Sequence, residues 1–178
     1  MNYFQKMRGT TTSPPRVSLS EIAWSWLGAF VGISLVAYIN FTLLKGTGWL
    51  LLTGSLGASA LLIYGAIKAP FAQPRNLMGG HILSALVGVC AYKLLPGHLW
   101  LASGLGVATS IAVMHATRTA HPPGSATALI AVIGDETVHN LGFLFALMPV
   151  AAGALILLLV ALIINNIPRS RRYPEYWL

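Results

Sequence analysis

Two short segments bring prolines together with histidine, arginine and amide side chains, and both interrupt otherwise apolar sequence. They are Ala72-Gln73-Pro74-Arg75-Asn76 and Ala120-His121-Pro122-Pro123-Gly124, which align with each other at a spacing of 48 residues. An apolar, glycine-rich stretch precedes each segment, and small residues follow each one. We interpret this pattern as one helical hairpin that occurs twice as a parallel repeat, with both interruptions on the same side of a membrane.

The chemistry expected at these segments is anion binding at a helix start. The first turn of a helix leaves about four N–H groups unpaired and carries about half a positive charge. Pro122 and Pro123 suit this turn because they need no hydrogen bond themselves. We therefore expect the N–H groups of Gly124, Ser125 and Ala126 to face a ligand, with Gly124 leaving room for its approach. In the first segment Asn76 is the expected N-cap.

Several side chains beside the two interruptions complete the predicted site. His121 can donate or accept a hydrogen bond, and its ordinary pKa of about 6.5 allows it to be protonated together with an incoming anion. Arg75 and Arg118 have an alternative role as anchors at the membrane interface, and His115 has an alternative role in packing. The predicted substrate-binding residues are His121, Pro122, Pro123, Gly124, Ser125, Arg118, Gln73, Arg75, Asn76, Gly79, Gly80 and His81.

The elements that must hold these residues are membrane helices. The chain has 178 residues, of which 56% are hydrophobic and 8% charged, with a mean hydropathy of +0.71. Such a composition excludes a water-soluble domain. Five apolar stretches are each long enough to span a bilayer, namely 22–44, 48–67, 77–95, 99–117 and 141–164.

A sixth stretch, 124–134, is too short to span, because as a helix it rises only about 16 Å. Its start is expected inside the membrane, where interrupted backbone requires a polar cavity. Small residues predict close helix packing, and Pro149 is expected to bend the last helix. The fold class predicted is an all-α polytopic bundle of about six membrane elements, one of them short or broken, with two hairpin repeats.

The distribution of charge predicts the orientation and the domain boundaries. The net charge is +7, and with six elements nine of the eleven cations fall on the cytoplasmic side. We predict a flexible cytoplasmic tail (1–20), a transmembrane domain (21–167) and a basic, aromatic cytoplasmic tail (168–178). The lack of a transit-like leader favours a bacterial inner membrane over a plastid envelope.

The two segments also resemble a known family. His121-Pro122-Pro123 with the following Gly124 to Leu129, the first segment with Gly79-Gly80-His81, and Gly57-Ala58-Ser59 are similar to the HPP family of integral membrane proteins. The resemblance covers nearly all of the chain after Ser20. It implies a link to nitrite transport, with which members in cyanobacteria and plastids are associated. Ser125 departs from the expected small Gly or Ala.

Both lines of reasoning predict a transporter or channel for a small inorganic anion. The resemblance makes nitrite the leading candidate, and proton coupling through His121 is an addition. The predicted partners are the lipid bilayer and the anion, and small-residue helix faces permit self-association. The cations form no basic stripe for nucleic acid. No cofactor is expected, and no metal site, because a single cysteine, Cys90, and two histidines without helical spacing cannot build one.

Two other classes of function are the alternatives. A membrane enzyme is not expected, because the four carboxylates lie at helix ends and turns, away from the histidines and arginines. A structural or sensory membrane protein would use the interruptions only for helix packing. A polar, open pocket at Gly124 would favour transport, whereas a junction filled with side chains would favour packing.

Overall fold

The computed structural model describes residues 2–178, and the regular secondary structure in that range is helical. It contains seven α-helices: α1 (Leu19–Tyr38), α2 (Gly54–Ala60), α3 (Pro74–Leu94), α4 (Leu99–Ala116), α5 (Pro122–Ile133), α6 (Glu136–Leu141) and α7 (Ala152–Ile164). A π-helical turn extends α1 to Leu43, and another extends α2 to Gly65.

Four apolar helical runs are long enough to cross a bilayer, and two are shorter. The long runs are Leu19–Leu43, Pro74–Leu94, Leu99–Ala116 and Glu136–Ile164, and the shorter ones are Gly54–Gly65 and Pro122–Ile133. The predicted all-α membrane bundle is therefore confirmed. The sequence predicted one short element, however, and the structure has two.

The additional short element arises because the stretch 48–67 is helical only from Gly54 onward. The backbone before it is extended, and the Asn40 side-chain oxygen accepts hydrogen bonds from the N–H groups of Leu51 at 2.8 Å and Leu52 at 3.1 Å. Gly48, with φ of +76°, turns the chain into this extended segment. A polar partner thus replaces the hydrogen bonds that a full-length helix would have made.

The first core of the bundle lies where α1, α2 and α7 meet. Gly28 and Gly32 of α1 leave room for the ring of Tyr64, because a β-carbon at Gly28 would lie 2.6 Å from Cδ1 of that ring. The Tyr64 hydroxyl in turn donates to the carbonyl oxygen of Leu157 in α7, at 3.0 Å. The predicted role of small residues in helix packing is realised at this contact.

The last apolar stretch is interrupted where the sequence predicted a bend. Met148, immediately before Pro149, has the non-helical backbone angles φ −130° and ψ 113°. Gly142 adds a second break with φ of +52°. Because proline has no N–H to donate and its ring meets the preceding turn, the helix cannot run on through this point. The regular part, α7, is 13 residues long.

The tail after α7 folds back onto the loop between α2 and α3. The guanidinium of Arg171 donates to the carbonyl oxygen of Tyr64. The hydroxyl of Tyr173 donates to the carbonyl oxygen of Ala72 at 2.7 Å, and the N–H of Glu175 donates to the side-chain oxygen of Gln73 at 2.9 Å. These contacts fix the tail against the first interrupted segment.

Candidate functional site

The two interrupted segments lie side by side in the structure. The Asn76 amide donates to the carbonyl oxygen of Ala120 at 2.8 Å, and Nη2 of Arg75 donates to that of Thr117 at 2.9 Å. Gly80 allows this approach, because a β-carbon there would lie 2.5 Å from Cβ of His121. The hairpin repeat thus brings its two helix starts together.

Four buried polar side chains cross the junction between these helix starts, and we call Ser59, His81, His121 and Thr127 the histidine quartet. The Ser59 hydroxyl oxygen lies 2.7 Å from Nε2 of His81 and 2.8 Å from Nε2 of His121. Nδ1 of His81 lies 2.7 Å from the Thr127 hydroxyl oxygen. All four residues are 0% exposed.

The hydrogen-bond directions in the quartet follow from one fixed acceptor. Nδ1 of His121 lies 2.7 Å from the carbonyl oxygen of Phe71, so this nitrogen carries a proton and donates. In the neutral ring Nε2 then accepts, and the Ser59 hydroxyl donates to it. His81 donates from Nε2 to Ser59 and accepts at Nδ1 from Thr127. Every ring nitrogen is then paired, as buried polar groups require.

A cavity of about 400 Å³ borders the start of α5, and we call it the motif cavity. His121 and Pro122 line it together with Ser125, and His115 of α4 faces them. Four apolar residues complete the lining: Phe71, Ile111, Met114 and Ala120. Its dimensions admit a small anion, and His115 and His121 are its titratable residues.

The arginines predicted for the site point elsewhere. Arg118 is exposed on the turn between α4 and α5, where its φ of +57° is the backbone conformation of a tight turn. Arg75 is half-buried and directed at Thr117. Neither residue is among those that line the motif cavity. The ability of arginine to reach a backbone carbonyl or water keeps both charges out of the apolar interior.

The amides of the first segment have structural partners. The Gln73 side chain donates to the carbonyl oxygens of Ile67 at 2.9 Å and Ala69 at 3.0 Å, so it closes the loop before α3. The N-cap expected at Asn76 is wrong, because α3 begins at Pro74 and Gln73 occupies the cap position. Pro74 suits the first helical position, where its missing N–H costs nothing.

The surroundings of Gly124 differ from the expectation. A β-carbon there would lie 2.7 Å from the Gly80 carbonyl oxygen and 2.9 Å from the Ser84 hydroxyl oxygen, so this glycine serves helix contact. Its N–H donates to the carbonyl oxygen of His121 at 2.7 Å and is not free for a ligand. Gly79 likewise makes room for Thr119. In the second segment Pro123 is buried, whereas Pro122 reaches the motif cavity together with Ser125, which follows the segment.

Sequence reasoning missed Ser59 and Thr127 as members of the site. A hydroxyl within an apolar helix often bonds its own backbone, so neither residue stands out by type or spacing. The run Gly57-Ala58-Ser59 offered a signal, because it contributed to the family resemblance. Within residues 2–178 the structure has no group of three or more His, Cys, Asp or Glu side chains placed to hold a metal ion.

A family model described as "HPP, transmembrane region" matches residues 14–174. Two transmembrane proteins of Dictyostelium discoideum are similar to the chain. One is 45% identical over 180 residues, which cover 99% of this chain and 58% of the relative. The other is 44% identical over 182 residues, which cover 99% of this chain and 64% of that relative. The chain spans about three fifths of the length of these relatives. No solved structure matches it.

Proposed function

The chain belongs to the HPP transmembrane family, and from this premise we propose that it moves a small inorganic anion, with nitrite as the first candidate, across a membrane. The path passes through the motif cavity, and the anion binds there beside His121 and Ser125. Both relatives are named only as transmembrane proteins. The site supports a small anion, and the choice of nitrite comes from the family resemblance.

The observation that supports this proposal most strongly is the position of the motif cavity. Of its lining residues, His121 and Pro122 belong to the segment for which the sequence predicted anion binding, and Ser125 directly follows that segment. The cavity also adjoins the start of α5, a helix of 12 residues. Buried histidines inside a membrane bundle are costly, and such groups mark substrate or proton pathways.

The size and lining of the cavity favour an anion of low charge. A divalent anion would require fixed cations to replace its hydration shell, and the lining side chains offer two histidines and one hydroxyl. A monovalent anion such as nitrite loses less hydration on entry. Both a channel and a carrier can use this cavity.

A structural role is the second candidate, and the packing at Gly124 favours it. The contact of this glycine with Gly80 and Ser84 leaves no gap between α3 and α5 at that level. In that case the interruptions would serve only to bring two helices together. We propose a non-enzymatic protein in either case, because the quartet has no carboxylate among its hydrogen-bond partners in residues 2–178.

We also propose that both termini lie in the cytoplasm and that the membrane is a bacterial inner membrane. The orientation is supported by the nine cations that fall on one side when six elements cross. The two relatives come from a eukaryote and support no particular membrane. Self-association through small-residue helix faces remains part of the proposal.

The proposal is tested by nitrite uptake into proteoliposomes, with protein-free liposomes to measure diffusion of the neutral acid. His121→Ala is expected to abolish uptake above that background. Arg118→Ala is the matched control, because it removes a charge from the adjacent turn without touching the cavity, and it is expected to retain uptake. Equal uptake by His121→Ala and the unmodified protein would refute the site. No uptake by any of them would favour the structural role.

A further inference from the structure

The Ser59 hydroxyl has one hydrogen and three nearby groups that can share it. Besides Nε2 of His81 and Nε2 of His121, the carbonyl oxygen of Ser55 lies 3.1 Å away, one helical turn earlier in α2. When the quartet is neutral, the hydrogen points to His121 and the Ser55 carbonyl receives nothing from Ser59. The Ser55 carbonyl, which lies beside the quartet, is therefore a spare acceptor for this hydrogen.

The spare acceptor makes a second state of the quartet possible. If Nε2 of His121 gains a proton, it becomes a donor to the Ser59 oxygen, which already accepts from His81. That oxygen has two acceptor positions, so it can accept from both rings at once. Its own hydrogen then turns to the Ser55 carbonyl. Each of the four hydrogen bonds described for the neutral state has a counterpart, and no buried polar group loses its partner.

The groups around the quartet decide what balances the charge of a bound anion. The charged and titratable residues on the elements packed against it are Glu21 and Tyr38 on α1, Tyr64 in the π-helical extension of α2, Arg75, Cys90, Tyr92 and Lys93 on α3, His115 on α4, Arg118 on the following turn, and Tyr173 and Glu175 in the tail. Cys90, Tyr92 and Lys93 lie at least two helical turns beyond His81, and Glu21 pairs with Arg171. Arg75 is held by Thr117, and Arg118 is exposed. His115 is exposed at the cavity, and Tyr173 is held by Ala72. The buried group next to the cavity that can become cationic is His121.

We infer that Ser59 is a hydroxyl switch that lets His121 bind one proton together with each anion, so that the protein transports the two as an electroneutral pair. This inference rests on the proposed function. The proton comes from water on the side where the anion enters, and one N–H bond forms at Nε2 of His121. On the other side that bond breaks, the proton returns to water with the anion, and the Ser59 hydrogen turns back to His121.

The test measures anion uptake and internal pH together in proteoliposomes, with nitrite as the probe. The unmodified protein is expected to import one proton per anion, and a membrane potential set by potassium and valinomycin should not change the rate. Protein-dependent nitrite current without proton uptake would overturn the inference and leave the proposed function standing. Absence of protein-dependent uptake would overturn both.

Ser59→Ala removes the switch, and Ser110→Ala is its matched control. The Ser110 hydroxyl is also buried, but it donates to the carbonyl oxygen of Val107 in its own helix at 2.8 Å. Ser59→Ala is expected to lower coupled uptake by about tenfold to hundredfold, the factor for losing a hydrogen bond to a charged group. Ser110→Ala should leave the uptake rate of the folded protein close to that of the unmodified protein, because the Ser110 hydroxyl bonds only its own helix. Equal rates for the two variants would overturn the inference.

A spectroscopic measurement keeps the inference testable if Ser59→Ala fails to fold. Nitrogen-15 NMR of the unmodified, histidine-labelled protein distinguishes a neutral ring from an imidazolium. Without anion, His121 is expected to be neutral with its proton on Nδ1, as its bond to the Phe71 carbonyl requires. Addition of nitrite should convert this ring, identified by its absence in His121→Gln, to the imidazolium. A ring that stays neutral with bound nitrite contradicts the inference.

Discussion

Substitution of Gly124 by alanine separates the two roles considered for this glycine, namely helix contact and ligand access. The added β-carbon would lie 2.7 Å from the Gly80 carbonyl oxygen, about 0.7 Å closer than the 3.4 Å at which ordinary contact begins. The Gly80 oxygen belongs to the backbone of α3 and cannot rotate away, so α3 and α5 must move apart. That movement also strains the contact between Gly80 and His121.

The expected loss of stability in Gly124→Ala follows from a comparison with Gly104 in α4, where a β-carbon would meet nothing within 4 Å. Alanine in place of glycine stabilises a helix by up to about 1 kcal/mol through propensity alone, and both variants share this gain. Overpacking at Gly124 costs about 1 to 3 kcal/mol in addition. We therefore expect Gly124→Ala to be less stable than Gly104→Ala by about 1 to 3 kcal/mol.

The assay is thermal or denaturant unfolding of the purified protein in one detergent, with both variants measured beside the unmodified protein. Nitrite uptake is recorded in parallel. If Gly124→Ala were as stable as Gly104→Ala, the close contact of Gly124 in α5 with Gly80 in α3 would be refuted. A stable Gly124→Ala variant that had lost only uptake would instead support the ligand-access role predicted from the sequence.

Three further predictions address the junction, the tail and the orientation. Asn76→Ala removes the hydrogen bond between the two interrupted segments and should lower stability by about 1 kcal/mol in the same unfolding assay. Tyr173→Phe removes the hydrogen bond from the tail to the carbonyl oxygen of Ala72, and should therefore speed tryptic cleavage of the tail. Because burial raises the pKa of Tyr173, docking of the tail should be constant up to about pH 10 and weaken above it, where the undocked phenol ionises. In a Cys90→Ser background, cysteines placed at Ser13 and His98 should react with a membrane-impermeant thiol reagent from opposite sides; labelling from the same side would refute the topology.

The long helices were predictable because their apolar stretches match the thickness of a bilayer. The start of α5 at Pro122 and the break at Pro149 were also evident, since proline restricts the backbone wherever it occurs. The start of α3 was predicted three residues too late, because Asn76 is a residue type that caps helices, whereas Gln73 occupies the cap position. The extended segment before Gly54 was not evident, because its residues are as apolar as those of a helix. What determines its conformation is the Asn40 side chain, a partner distant in sequence.

The site was predictable in part, for a physical reason. His121 and His81 carry chemistry that marks them in any apolar sequence, and the structure brings them within one hydrogen-bonded group. Ser59 bonds to both histidines but lies 22 and 62 residues away from them in the sequence, so no local sequence pattern could predict these contacts. Arg118 was assigned to the site from its proximity in sequence, but the direction of a side chain depends on the backbone of its turn, where φ is positive.

The two shorter apolar helices have an electrical consequence. Gly54–Gly65 and Pro122–Ile133 each rise about 18 Å, whereas the hydrocarbon core is about 30 Å thick. Where water and headgroups follow the ends of these helices inward, the insulating layer is correspondingly thin. The transmembrane voltage then falls over little more than half the thickness of the hydrocarbon core, and the electric field is stronger there than in the surrounding lipid. An uncompensated charge that moved a given distance beside α2 or α5 would do more electrical work than elsewhere in the bilayer.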